Sequence, residues 1–157
     1  MRNRSDQALI RITCCTKRPQ LSLLKIKKLT QCLLVCLRQA VELHLTFVSD
    51  VQIKRINRLY HRTNHVTDVL AFQEPFRWPQ LLRSKKFLGE VIVSIDRACA
   101  HAKQFCNNQD EELMRYVTHG VLHLLGERDH TKKAHAKMFK RQERLLNILR
   151  PIPKVIR

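Results

Sequence analysis

Apolar residues in this chain recur sometimes at every second position and sometimes at helical spacing, and this switching restricts the fold to interleaved strands and helices. Leu9 to Cys14 sets Ile10, Ile12 and Cys14 against Leu9, Arg11 and Thr13, the pattern of a strand, and Leu43 to Val48 alternates through Leu43, Leu45 and Phe47. Between them, Ser22 to Ala40 carries Leu23, Ile26, Leu29, Leu33, Leu34 and Leu37 at helical spacing, with Ser22 as cap. Asp50 is expected to cap a short helix bearing Ile53, Ile56 and Tyr60, and Thr67 to Phe72 is extended. Phe87 to Ile95 is the strongest strand. Asp96 caps a helix through Phe105, and Asp110, with Glu111 and Glu112 in its first turn, starts the next. A basic helix runs from about Thr131 to Leu149, where Pro151 and Pro153 end it. Pro75 to Lys86, with two prolines and Trp78, reads as a surface loop.

With 157 residues, 44% of them hydrophobic, the chain suits one domain with a real core, taken as 1–157 with a basic tail over 150–157. The net charge of +17 and pI near 10.3 exceed what solubility needs and attract a polyanion, RNA or DNA before a ribosomal or membrane surface. The six cysteines form no Cys-x-x-Cys, so they are expected to be reduced and mostly buried small hydrophobes. No apolar run reaches the ~20 residues of a membrane span and no signal-peptide core follows the basic start, so a cytoplasmic protein is expected.

The run HGVLHLLGERDH, from His119 to His130, carries the chemistry. His119 and His123 project from adjacent turns of one helix face, beside a core stripe of Leu113, Val117, Gly120, Val121 and Leu124. Gly126 lets the chain leave the helix in a left-handed conformation and fold back on that face. Three ligands can then gather around one cation. Gly120, beside His119, implies close backbone approach. Three protein ligands with a fourth position open describe catalytic rather than structural zinc.

HGVLHLLGERDH resembles the His-Gly-x-Leu-His-Leu-x-Gly-x-Asp-His signature of the YbeY family, bacterial metal-dependent endoribonucleases also called rRNA maturation factors. INRLYHRTNHVTDVLAF (Ile56 to Phe72) is similar to that family's Leu-Asn-aromatic-Arg segment leading into Thr-Asp-Val-Leu-Ser-Phe, and LGEVIVSID (Leu88 to Asp96) to its Leu-Gly-Asp-Ile-x-Ile strand. The resemblance implies a small α+β domain with a mixed sheet of about four strands, and one zinc bound by three histidines. It also implies single-strand-specific RNA cleavage, with a role in small-subunit 16S rRNA 3′-end maturation and ribosome quality control. The partners would be single-stranded RNA and the small ribosomal subunit, with no membrane and no DNA.

The chain departs from that pattern at the third ligand. The slot of the signature's last histidine holds Asp129, and His130 follows one residue later. Either can bind zinc. His130 is favoured by softness and by the retained Asp-His order, with Asp129 then capping the last helix. The arginine expected after the aromatic is His61 here, with Arg62 next, so Arg62 is the expected phosphate clamp; His61 and His65 are surface or RNA-facing groups. Hydrolysis would then rest on zinc held by His119, His123 and His130 or Asp129, with Arg62 stabilising developing charge. A zinc protease would need a glutamate where Gly120 stands. The remaining rival is a non-catalytic, zinc-stabilised rRNA-binding factor that uses Lys132, Lys133, Lys137, Lys140, Arg141 and Arg144 of the last helix.

Overall fold

The computed structural model describes residues 7–17, 22–73 and 86–150. Its elements follow the order β1 (Leu9–Cys14), α1 (Leu23–Cys36), β2 (Glu42–Val48), α2 (Asp50–His61), β3 (Val69–Phe72), β4 (Phe87–Ser94), α3 (Ile95–Gln104), α4 (Gln109–Leu124) and α5 (Lys132–Leu149). The four strands form one mixed sheet in the order β1-β2-β4-β3, with β1, β2 and β4 parallel and β3 antiparallel on the edge. The fold is α+β, as the resemblance implied. The loop expected over 75–86 lies outside the described residues apart from Lys86, and so do Trp78, Pro151 and Pro153.

The main core lies on one face of the sheet, where Leu43, Leu45, Phe47, Val91 and Val93 meet Ile26, Leu33 and Leu34 of α1 and Leu113, Val117 and Val121 of α4. The other face carries a smaller cluster of Val48, Ile53, Ile56, Leu70 and Ile92, covered by α2. The alternation in β2 therefore separates two buried faces rather than an inside from an outside: all seven of its residues are buried. Its polar face is paired internally, with His44 Nε2 2.9 Å from Glu42 Oε1 and the Thr46 hydroxyl donating to Glu90 at 2.6 Å. Unpaired, those groups would carry a large desolvation cost.

Two expected caps are displaced, and the start expected at Asp110 moves back one residue to Gln109. Ser49, not Asp50, caps α2, in a capping box with Gln52; Ser94 caps α3 and Asn108 caps α4. A hydroxyl or amide at the preceding position takes the first free N–H groups, which leaves the acids in the first turn, where the helix dipole favours them. Asp50 and Asp96 instead join two helix starts: Ser94 Oγ donates to Asp50 at 2.6 Å, and the Asp50 N–H donates to Asp96 at 2.9 Å. The first helix ends short of Ala40, because Arg38 turns left-handed (φ 56°) just beyond it. The cysteines are free, as expected, but not buried: Cys14, Cys32, Cys36 and Cys106 are exposed and Cys15 and Cys99 half-buried. Cys32 and Cys36, one turn apart on α1, are both exposed along the edge of its stripe of Ile26, Leu29 and Leu33.

Gly120 brings α4 onto the sheet. A Cβ there would stand 2.6 Å from Cγ1 of Val91, a fully buried β-branched side chain with no flexible end to yield. Gly120→Ala is expected to lower stability by about 1–3 kcal/mol through overpacking, outweighing the ~1 kcal/mol that alanine gains over glycine in a helix. Urea unfolding of the two proteins checks this, and an unchanged midpoint would contradict so close a helix–sheet contact.

Candidate metal centre

The last two turns of α4 place His119 and His123 half-exposed beside its buried stripe, and their rings meet edge to face with centroids 4.5 Å apart. After α4 the chain turns at Gly126, with φ 97°, and the Glu127 N–H donates back to the Leu122 carbonyl at 3.0 Å. This turn returns Asp129 over the same helix face. One Asp129 carboxylate oxygen lies 3.6 Å from Nε2 of His119 and 3.6 Å from Nε2 of His123. Ligand atoms of His119, His123 and Asp129 all fall within 4.8 Å of one another, so this group could hold a metal ion.

Hydrogen bonding at the outer nitrogens sets the chemistry. His123 Nδ1 is 2.9 Å from the Glu127 carbonyl, which can only accept, so Nδ1 carries the proton. His119 Nδ1 is 3.0 Å from Gln142 Oε1, and the Gln142 amide nitrogen, donating toward Glu143 at 3.4 Å, orients that oxygen toward the ring. With the proton on Nδ1 of each neutral ring, the Nε2 lone pairs would be bare, and these atoms stand 2.9 Å apart. Two lone pairs at that distance repel unless a proton or a cation lies between them. Burial, the largest influence, holds the His119 pKa below its ordinary value, which favours the neutral, metal-binding form. Two imidazole nitrogens on a tetrahedral zinc at ~2.0–2.1 Å would be about 3.3 Å apart. The donor set fits zinc with a few tenths of an ångström of opening.

The sequence-derived candidates fare differently. His119, His123 and Asp129 come together. His130, favoured as third ligand, is exposed and does not join the group. Asp129 is also released from the capping role considered for it, since Thr131 caps α5 by accepting from the Ala134 N–H at 3.1 Å. Arg62 is the exposed, left-handed C-cap of α2 (φ 55°) and is not among the residues lining the cavity beside His119. His61 and His65 are exposed, and His61 stacks on Phe72 with centroids 6.2 Å apart.

That cavity, about 360 Å³, opens between α4, α5 and the start of β3, with Asp68, Tyr116, His119, His135, Phe139 and Gln142 among its walls. Burial raises the Tyr116 phenol well above its usual pKa, so it stays protonated, and its hydroxyl shares a hydrogen bond with Nδ1 of His101. Arg115 also lines the cavity, but its charge is matched by Glu143, at 2.8 Å from Nε, and by Glu112. The bond that Arg115 donates to Glu143, the largest influence, raises the Arg115 pKa, and in return holds the Glu143 carboxyl below its ordinary value. Gln142 was missed from the sequence. Its signal was a polar residue one turn after Met138 and one before Leu145, inside an otherwise apolar stripe.

Comparison with known proteins points to one family. The family model described as endoribonuclease YbeY matches residues 11–150. An endoribonuclease YbeY from Desulfitobacterium hafniense is 37% identical over 109 residues, covering 67% of this chain and 69% of that protein. The one from Oenococcus oeni is 35% identical over 113 residues, covering 70% and 73%. The Myxococcus xanthus relative is 39% identical over 107 residues, which cover 68% of this chain but 36% of that longer protein. The solution structure of TM1509 from Thermotoga maritima superposes with a TM-score of 0.62 at 26% identity, covering 90% of this chain and 89% of that one.

Proposed function

The chain belongs to the endoribonuclease YbeY family, and from that premise we propose that it is a single-strand-specific metallo-endoribonuclease acting in 16S rRNA 3′-end maturation on the small ribosomal subunit and in ribosome quality control. The observation that carries the metal chemistry is the pair of bare Nε2 atoms 2.9 Å apart with a carboxylate oxygen 3.6 Å from each. One zinc ion held by His119, His123 and Asp129 would supply Lewis acidity, polarising a phosphate oxygen and making water a stronger acid.

The remaining work falls to the protein. Gln142 and the Glu127 carbonyl lock both rings in the tautomer that leaves Nε2 free, an outer-shell role that fixes ligand direction. Phe139, exposed on the cavity wall, offers an apolar face on which an unpaired base can stack, and a paired base cannot reach it without leaving its duplex. Arg62 begins the segment that ends at Thr67 and Asp68 on the cavity rim, so it is the cation proposed to meet a phosphate as substrate enters. The net charge of +17 draws the polyanion in before any such contact forms.

The test is cleavage by the zinc-loaded protein of one RNA sequence presented single-stranded and as a duplex. Cleavage of the single strand alone, lost on chelation and restored by zinc, is the expected result. Equal cleavage of the duplex, or indifference to the chelator, would overturn the proposal.

A further inference from the structure

α5 presents two flanks to separate concave surfaces. His135, Phe139 and Gln142 face the cavity beside His119, whereas Lys137, Lys140, Arg141 and Arg144 line a separate groove of about 490 Å³ against the end of α1. Arg38 closes the other wall, and Leu37 and Leu145 contribute apolar surface between them. Five cations thus line one concave surface to which no carboxylate among the described residues contributes, and of the five Arg141 is paired with the neighbouring Glu127. Clustered like charges repel, and counterions collect in such a groove until a polyanion displaces them. We propose that this groove binds the phosphodiester backbone of RNA, as a docking surface that holds substrate while an adjacent stretch reaches the metal centre; the inference rests on the ribonuclease reading above.

Three features favour an RNA backbone over other acidic partners. Lys137, Lys140 and Arg144 sit at successive turns of one helix face, a stripe about 10 Å long at 1.5 Å per residue, which suits a chain of regularly spaced phosphates. The surface is concave with cations on both walls, whereas a membrane-binding helix presents a broad apolar face to a flat bilayer. The groove also joins the metal centre through one residue. Arg141 pairs with the Glu127 carboxylate, and the Glu127 carbonyl holds His123. A strand lying across α5 would therefore pass from the cation stripe to the ligand-bearing turn without leaving the protein surface.

The test measures affinity for a labelled single-stranded RNA across a salt series, in a His119→Ala background. A groove triple, Lys137→Ala/Lys140→Ala/Arg144→Ala, is compared with Lys54→Ala/Arg55→Ala/Arg58→Ala, which removes the same charge from exposed positions on α2. Loss of three phosphate contacts from a single strand should lower the slope of log affinity against log salt by about 2, and weaken binding roughly tenfold or more. The α2 triple should keep the parent slope. Equal slopes for the two triples, no RNA binding by the parent, or binding to phosphatidylserine vesicles that the groove triple loses while its RNA binding is unchanged would each overturn the proposal. The ribonuclease reading fails separately, if the wild-type protein binds RNA through this groove and does not cut it.

Discussion

His123→Ala is expected to abolish zinc binding and to reduce RNA cleavage by about 10³ or more while leaving the fold intact, since several kcal/mol of transition-state stabilisation leave with the ion. His123 is half-exposed on α4, outside the buried stripe of Leu113, Val117 and Val121, and alanine is the best helix former. Without metal, the variant also removes the repulsion between two nitrogens held 2.9 Å apart. The metal-free variant should therefore unfold at least as late as the metal-free parent. Adding zinc reverses that order: at 100 times its dissociation constant, an ion that binds only the folded parent stabilises it by about 2.7 kcal/mol, and the variant gains nothing. Thermal unfolding with and without zinc, beside a cleavage assay, checks both halves. The pH dependence has a definite sign. Burial holds the His119 pKa below its ordinary value, so the unfolded imidazole takes up a proton first. This site's contribution to stability is present above the ordinary histidine range and is lost as pH falls through the depressed folded value.

The second large effect separates two neighbouring residues. Asp129→Ala should weaken zinc binding at least ~100-fold, because a ligand is lost outright where loss of an outer-shell partner alone costs 10–100-fold. His130→Ala, at an exposed position outside the ligand group, should leave affinity within a factor of about two. Neither change should unseat α5, whose cap is Thr131. Zinc titration against a competing chelator reads both affinities. The reverse ranking would mean that the turn after Gly126 rearranges to bring His130 inward.

The position of His130 outside the group of His119, His123 and Asp129 shows where reading the sequence ran out. The spacing of His119 and His123 on one helix face follows from the 3.6-residue repeat, and Gly126 marked the turn, so the two juxtaposed histidines and the bend were legible. Which of two successive residues the turn delivers depends on backbone bonds such as Glu127 N–H to the Leu122 carbonyl, which no pattern records. Strand boundaries were read closely for Leu9–Cys14 because alternation is a local signal. The burial of both faces of β2 was not, because it depends on α2 covering the sheet from the side opposite α1 and α4. The caps slipped by one or two residues where Ser49 and Ser94 precede acids, since both residue types suit a helix start and only the bonds separate them. Gln142 reaches His119 from another helix, a contact to which sequence separation gives no guide.

Diffraction from crystals grown with zinc, recorded at the zinc absorption edge, tests the metal centre most directly. One anomalous peak is predicted, bounded by Nε2 of His119, Nε2 of His123 and a carboxylate oxygen of Asp129, with the Nε2 atoms moved apart to about 3.3 Å. A peak ligated by His130 in place of Asp129 would correct the third ligand, and no peak between the two histidines would contradict the metal centre itself.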